Sequence, residues 1–398
     1  WNALVGEAAR LHLPRVGVTG VEPLTAETGR FVEWLAAGYG GAMDYLAEGS
    51  SATSSPRGAP SELLPTARAV IVAAVHYPSP TRSKSKGSDA AAATNSESIV
   101  DAVAGYARGA DYHHVVKDRL LLLADALADL VGHPILARAC VDTAPLLERA
   151  LAVRAGLGFV GKNTLLITPG LGSYFLLGEL LVDVPLLPTV PSDVFDGCGR
   201  CRACLDACPT DAFVSPFVLD ARQCVSFLTI ETTDSVPHEL RAGIGSRVFG
   251  CDECQSVCPF NRTAEKKPSD LEFATRPRLE VFDLEKLLFL GSAQYRSLVR
   301  GTALRRASRE QLCRNAAIAL GNSGREDAVA PLARALVEHP LPLARTHAAW
   351  GLGRLAFDFG LPAARVVLEN HRTHPEPEVR EEIARWFDSE RRTDIAFE

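Results

Sequence analysis

The chain has 398 residues, 47% hydrophobic and 23% charged, with a formal net charge of −6. This composition describes a soluble globular protein with room for two or three domains. The negative balance excludes a uniformly basic nucleic-acid binder but not a local basic patch. No apolar run approaches the ~20 residues of a membrane span, because Leu176–Pro188 is broken by Glu179 and Asp183.

Residues 1–185 alternate strand-like and helix-like stretches. Arg15–Thr19 and Ala69–Val75 have the apolar, β-branched character of buried strands, and Lys117–Leu130 spaces its apolar residues for a helix. Between them, Ser79–Ala93 is rich in Ser, Lys, Ala and Gly, the composition of a mobile surface loop. Gly156-Leu157-Gly158-Phe159-Val160-Gly161 matches the dinucleotide pattern and, with Lys162, nearly matches a phosphate loop. Both motifs need a strand entering the glycines and a helix leaving them, so that the helix N-terminus holds phosphate. Here a helix is expected before them, over Leu146–Ala155, and a strand after them, over Thr164–Thr168. Nucleotide binding is therefore excluded. Asp111-Tyr112-His113 opens like a cobalt-binding Asp-x-His-x-x-Gly motif, but Val116 stands where glycine is required.

Residues 186–265 hold eight of the ten cysteines. One run is Cys198-x2-Cys201-x2-Cys204-x3-Cys208-Pro209, the other Cys251-x2-Cys254-x3-Cys258-Pro259, with Cys224 between them. A C-x2-C-x2-C turn directs three thiolates at one cubane, and the cysteine before proline serves the other cluster. Crossing the runs gives Cys198, Cys201, Cys204 and Cys258 to one [4Fe–4S] cluster, and Cys208, Cys224, Cys251 and Cys254 to the second. Disulfides suit a secreted chain and zinc seldom uses this triple run. No charged-then-apolar leader opens the sequence, and dense thiolates persist in a reducing compartment, so a cytoplasmic location is expected. Cys140 and Cys313, in apolar surroundings, read as buried inert thiols.

A linker is expected over 266–295, and from 296 the pattern is helical. Ala316-Ala317-Ile318-Ala319-Leu320-Gly321 recurs 32 residues later as Ala348-Ala349-Trp350-Gly351-Leu352-Gly353, with a degenerate copy at Val379–Trp386. That period suits HEAT-like helix pairs. Within Tyr295–Asn315, Arg296, Arg300, Arg305, Arg306, Arg309 and Arg314 face one acid, Glu310, a local surface suited to RNA phosphates.

Several strings resemble the epoxyqueuosine reductases. They are Val141-Asp142-Thr143-Ala144-Pro145, Glu148-Arg149, Ala155 through Asn163, Gly178-Glu179-Leu180-Leu181, and Cys224 through Glu231. Arg108-Gly109-x-Asp111-Tyr112-His113 and the C-terminal repeats extend the likeness over nearly the whole chain. Only the Ser79–Ala104 stretch departs, being longer than the family pattern. The resemblance implies an α+β or α/β architecture. Its parts are a mixed α/β cobalamin-binding domain (1–185), a ferredoxin-like module for two [4Fe–4S] clusters (186–265), and a HEAT-like tRNA-binding domain (296–398). It implies a monomeric oxidoreductase that reduces epoxyqueuosine to queuosine at the tRNA wobble position. Cobalamin is fed by the clusters, and the clusters by a separate electron donor. Asp142 becomes the proton donor, its carboxyl pKa raised when corrin and substrate desolvate it. From the residues alone it reads as the cap of a helix starting near Ala144-Pro145. Arg57, Lys162, Asn163 and Thr164 are implied to hold corrin amides or phosphate, and Ser226 and Gln255 to bridge cluster and corrin. The alternatives are a corrinoid reductive dehalogenase and a non-catalytic iron–sulfur protein fused to a helical interaction domain. A basic tail and the absence of an export pattern weigh against the first, the long N-terminal domain against the second.

Overall fold

The computed structural model describes residues 1–79, 98–189, 197–264 and 269–395. Four strands, β1 (Arg15–Thr19), β2 (Ala69–His76), β3 (Ala137–Cys140) and β6 (Phe175–Val182), form one sheet in the order β1-β2-β6-β3, antiparallel at each pairing. The strand pair β4 (Phe159–Val160) and β5 (Leu166–Ile167) forms a separate hairpin. Helices α1 (Asn2–Arg10), α2 (Thr25–Ala36), α3 (Tyr112–Val131) and α4 (Glu148–Arg154) complete this half.

The continuous apolar run of β2 follows from cover on both faces. Ala69, Ile71, Ala73 and Val75 join the core under α1 and α3, while Val70, Val72 and Ala74 join the core under α4. The same alternation divides β6. Leu176, Leu180 and Val182 face α3, and Leu177 and Leu181 face α4. Glu179, two residues from each of the latter, thereby lies on the α4 face, level with Val72 and Cys140 on the neighbouring strands. In α3, Val116, Leu120, Leu123, Ala124 and Leu127 form the buried stripe, and left-handed Gly132 ends the helix.

The glycine motif is absorbed by the hairpin. The chain leaves α4, turns at Gly156 (φ 77°) and enters β4, the reverse of a phosphate-binding order. A Cβ at Gly158 would lie 2.2 Å from the Ile167 carbonyl oxygen, so close backbone approach demands glycine there.

The helices Arg309–Asn322, Val329–Glu338, Pro342–Gly353, Pro362–Asn370 and Pro377–Ile395 stack as a solenoid. Its small-residue repeats mark helix crossings. A Cβ at Gly321 would lie 2.4 Å from Gly351 Cα, and one at Gly353 would strike the Trp386 indole. The expected linker is corrected. Leu279, Leu287, Leu288 and Leu290 are buried in the solenoid core, and Leu284–Leu288 is helical. The Ser79–Ala93 expectation falls, apart from Ser79, outside the described residues. From Ile99 the chain is packed, with Ile99, Val103 and Ala107 in that same core. Among the described residues no helix is long and apolar enough to cross a membrane.

Candidate active site and cluster ligands

The eight thiols gather in two sets of four. Cys198, Cys201, Cys204 and Cys258 line one cavity with Asn163, Ile167, Pro259 and Phe260. The remaining four act on one another electrostatically: Cys224 feels Cys208, and Cys254 feels Cys251 and Cys224 more than it feels Cys204 of the first set. Burial, reinforced by neighbouring thiols, pushes Cys204 up to about 11; burial does the same to Cys251, where Arg247 partly offsets it. Buried thiols that resist ionisation on their own fit a site completed by iron, whose charge removes their protons. Among the described residues no three such side chains are disposed around a single metal ion.

Some of the residues expected at the corrin make hydrogen bonds within or to this module. Lys162 donates from Nζ to the carbonyls of Gly199 (2.7 Å) and Cys201 (2.8 Å), and its amide reaches Cys198 Sγ at 3.4 Å. Asn163 is buried and donates to the Cys254 carbonyl. Gln255 is enclosed by Ser173, Tyr77 and Asp252, and Ser226 directly follows Val225, the first residue of the helix that Cys224 caps. Thr164 sits in the left-handed region (φ 66°) and accepts hydrogen bonds from Arg149 through its carbonyl and hydroxyl. Arg57 donates to the carbonyls of Leu46 and Tyr45, holding the Asp44–Leu46 turn.

Asp142 follows β3 in a loop, at φ 57°. It does not cap a helix. Helix α4 starts at Glu148, six residues on, with Leu147 at its N-cap. The Asp142 carboxylate accepts from Tyr112 Oη (2.9 Å) and from His113 Nε2 (3.2 Å), and its amide donates to Glu148 Oε1 (2.6 Å). Helix α3 aims the first two. Asp111 caps it through the His113 amide and takes His113 Nδ1 at 2.7 Å, which fixes the imidazole. Tyr112 stacks on His113, and Tyr106 meets Tyr112 edge-on.

The groups around Asp142 favour its ionised form. Desolvation raises the Asp142 pKa, but hydrogen bonds from His113 and Tyr112, with the charges of His113 and Arg306, outweigh it and hold the value below the ordinary one. Burial alone would lower His113, yet Asp111 and Asp142 carry it to about 9. At neutral pH the mobile proton therefore rests on His113. Because the folded pKa exceeds the ordinary value of 6.5, His113 contributes stability below pH 6.5 that disappears as pH rises toward 9. Cluster-loaded protein should accordingly lose more melting temperature from pH 6.5 to 9 than His113→Gln does. Equal slopes would refute the assignment.

Around Asp142, Arg306 forms a two-pronged ion pair with Glu231 and lies 5.3 Å over the Tyr45 ring. The Asp142 side chain is 59% exposed although desolvation is the largest influence on it, so it lies in a depression rather than on a convex surface. Aromatic and cationic walls (Tyr45, Tyr112, Arg57, Arg306) suit a flat macrocycle with amide and phosphate substituents. Both His113 nitrogens are engaged, so this imidazole is no ready cobalt ligand. The Cys208/Cys224/Cys251/Cys254 set adjoins the depression. Asp252 accepts the Gly105 amide at 2.7 Å beside Tyr106, and Glu231 ends the helix that starts after Cys224.

Tyr112, His113, Glu148 and Glu179 stand in strings that carry the family resemblance, yet sequence reasoning assigned none of them a role of its own. The available signal was chemical: a carboxylate, Glu179, interrupting an apolar strand, and an Asp-x-His at a helix start. The expected RNA-binding arginines divide. Arg296, Arg300 and Arg305 are exposed, and Arg309 is partly covered, donating to the Leu290 carbonyl. Arg306 belongs to the Asp142 depression. Arg314 is corrected: it is fully buried, donating to the carbonyls of Thr232, Asp234 and Leu228, and joins the solenoid to the cluster module.

Three family models match: "4Fe-4S double cluster binding domain" over residues 197–261, "Epoxyqueuosine reductase QueG, DUF1730" over 57–143, and "HEAT repeats" over 299–386. An epoxyqueuosine reductase of Pseudomonas aeruginosa is 43% identical over 86% of this chain and 91% of its own length. A crystal structure of an epoxyqueuosine reductase with an epoxyqueuosine-modified tRNA-Tyr stem loop superposes with a TM-score of 0.81 at 32% identity, covering 97% of each chain. The Bacillus subtilis enzyme, with its catalytic aspartate loop swung out of the active site, gives 0.79 at 31% identity, covering 97% of this chain and 98% of its own. With identity of this order over nearly its full length and the cysteine and Asp142 geometry in place, the chain belongs to the epoxyqueuosine reductase family.

Proposed function

We propose that this chain reduces epoxyqueuosine to queuosine in tRNA, with Asp142 delivering the proton to the departing oxygen. The observation that carries the reading is the Asp142 carboxylate, open to a depression on one side and hydrogen-bonded to Tyr112 and His113 on the other. Removing the epoxide oxygen as water consumes two electrons and two protons. The cobalamin supplies a strong nucleophile toward strained carbon–oxygen bonds when bound, and the cysteine sets hold the clusters that reduce it. Arg57 and Thr164 would hold its amides or phosphate. Lys162, Asn163, Ser226 and Gln255 support the clusters beside it.

The chain's own residues manage protons. His113 carries one at neutral pH, 3.2 Å from the Asp142 carboxylate. Covering the depression with substrate removes water from Asp142, favours its neutral form, and draws the proton across that hydrogen bond. Asp111 then stabilises the imidazole orientation for reprotonation. The swung-out aspartate loop of the Bacillus subtilis enzyme fits a carboxyl carried on a loop rather than on a strand or helix. The protein acts in the cytoplasm as a monomer, with electrons from a separate donor.

Arg296, Arg300, Arg305 and Arg309 supply backbone contacts to tRNA, and Arg306 stands where the RNA surface meets the depression. Reversing Arg296, Arg300 and Arg305 to Glu should weaken stem-loop binding and lower the log–log salt slope by about 0.7–0.9 for each phosphate no longer neutralised. The rate at saturating RNA should hold. Unchanged affinity and slope would make this face a solvated surface. Arg314→Ala should instead lower the melting temperature, since stranding each buried carbonyl costs about 1–3 kcal/mol.

A further inference from the structure

We propose that Glu148 and Glu179 form a proton-sharing carboxyl pair that anchors the Asp142 loop, making Glu148 a positioning residue whose grip depends on pH. The inference rests on the reading of Asp142 as the acid, and it concerns what holds that acid in place.

The geometry is specific. Glu179 is 0% exposed at the centre of the sheet, on the face that α4 covers, and neither of its carboxyl oxygens receives a hydrogen bond from any N–H or hydroxyl. A buried carboxyl without donors is costly unless it is protonated or faces another acid. What faces it, across α4 and the sheet, is Glu148, the first residue of α4, whose Oε1 accepts the Asp142 amide at 2.6 Å. Two carboxyls in contact, away from water, hold at least one proton between them, as a carboxyl donating to a carboxylate.

The groups acting on the pair are few. Glu148 feels Asp142, Glu179 and Arg149, and the Arg149 guanidinium is turned to Thr164. Glu179 feels Glu148, Asp142 and the Cys140 thiol beside it on β3; Arg138 and Lys117 act on Cys140. Among the described residues no cation bridges the two carboxyls. Burial, with the charges around it, accordingly raises Glu179 well above the ordinary range and Glu148 to about 7.

Two states follow. Above about pH 7, Glu179 is neutral and Glu148 is charged. The Asp142 amide then makes a charge-assisted bond, which holds the left-handed φ of 57°. The negative charge also opposes the influences that keep Asp142 ionised, favouring the protonated acid that catalysis needs. Below that pH a second proton neutralises Glu148, the bond becomes an ordinary one, and the loop loosens.

The test is hydrogen exchange at residues 141–145, compared between pH 6 and pH 8 after correction for intrinsic rates, in protein loaded with clusters and cobalamin. In wild type, protection should fall by about tenfold toward pH 6, the order of a charge-assisted against a neutral hydrogen bond. Glu148→Gln keeps an acceptor but no charge, so protection should be low and independent of pH. Glu179→Gln gives Glu148 a permanent amide donor and removes the competing acid, so protection should stay high down to pH 6. Single-turnover rates should track protection, falling about tenfold in Glu148→Gln. Protection that is independent of pH in wild type overturns the proposal, whether or not the variants fold. So does the same pH response in Glu179→Gln as in wild type. If exchange behaves as described while Asp142→Asn still turns over, the anchor stands and the acid assignment falls.

Discussion

Asp142→Asn is expected to fold, load both clusters and bind cobalamin, yet convert epoxyqueuosine about 10²–10⁴-fold more slowly, the usual worth of a positioned acid. Asparagine keeps the size of the side chain and still accepts from Tyr112 and His113, but it holds no acidic proton. It also tolerates the left-handed conformation, so the loop has no reason to rearrange. Stability effects separate this role from a structural one. A helix cap would cost about 1 kcal/mol on truncation to alanine. Here α4 begins at Glu148 without help from Asp142, so Asp142→Ala should show no such cap loss. Single-turnover conversion of a modified stem loop, measured beside thermal melting of both variants, checks this. Turnover of Asp142→Asn within a few-fold of wild type would move the acid elsewhere, with His113 the next candidate.

The second large effect concerns the crossing of cluster ligands. Cys258 lies late in the chain but lines the cavity of Cys198, Cys201 and Cys204, while Cys208 joins Cys224, Cys251 and Cys254. Cys258→Ala should empty the cluster of the first run, and Cys208→Ala that of the second. Each should reduce anaerobically loaded protein from about eight irons per chain to about four. Turnover should be lost in both. The Cys208 variant breaks the set that adjoins Tyr106 and the depression, so its remaining cluster should still accept electrons from a chemical reductant without passing them on. Iron loss that follows sequence neighbourhood, with Cys258→Ala sparing the first run, would reverse the assignment.

The legibility of this chain varied with the range of the interactions. β1 was readable to the residue, and β2 nearly so, because a strand covered on both faces must be apolar throughout, as β2 is. The solenoid was readable because close helix crossings demand small residues at fixed intervals, as at Gly321 and Gly351. The grouping of the thiols was readable because eight of them in two runs admit few arrangements. What spacing could not convey was the partner of each polar group. Arg314 sits in the same basic stretch as Arg305, yet one guanidinium is fully enclosed by carbonyls from residues 228–234 and the other faces solvent. Lys162 was expected at the corrin because it follows the glycines of the family string, and its partners, the Gly199 and Cys201 carbonyls, lie in the cysteine module. The proton network at Asp142 likewise assembles a helix start, a strand end and a sheet centre. Its members come from residues 111–113, 142–148 and 179, three stretches that only the fold brings together.

The central claim is tested most directly by following the fate of a defined substrate. Wild-type protein with both clusters loaded anaerobically should receive an epoxyqueuosine stem loop and a limiting one-electron reductant, with and without cobalamin. Nucleoside analysis should find queuosine only when cobalamin is present, at about two electrons consumed per product, as loss of oxygen to water requires. Equal conversion without cobalamin, or no conversion with the clusters and cobalamin in place, would contradict it.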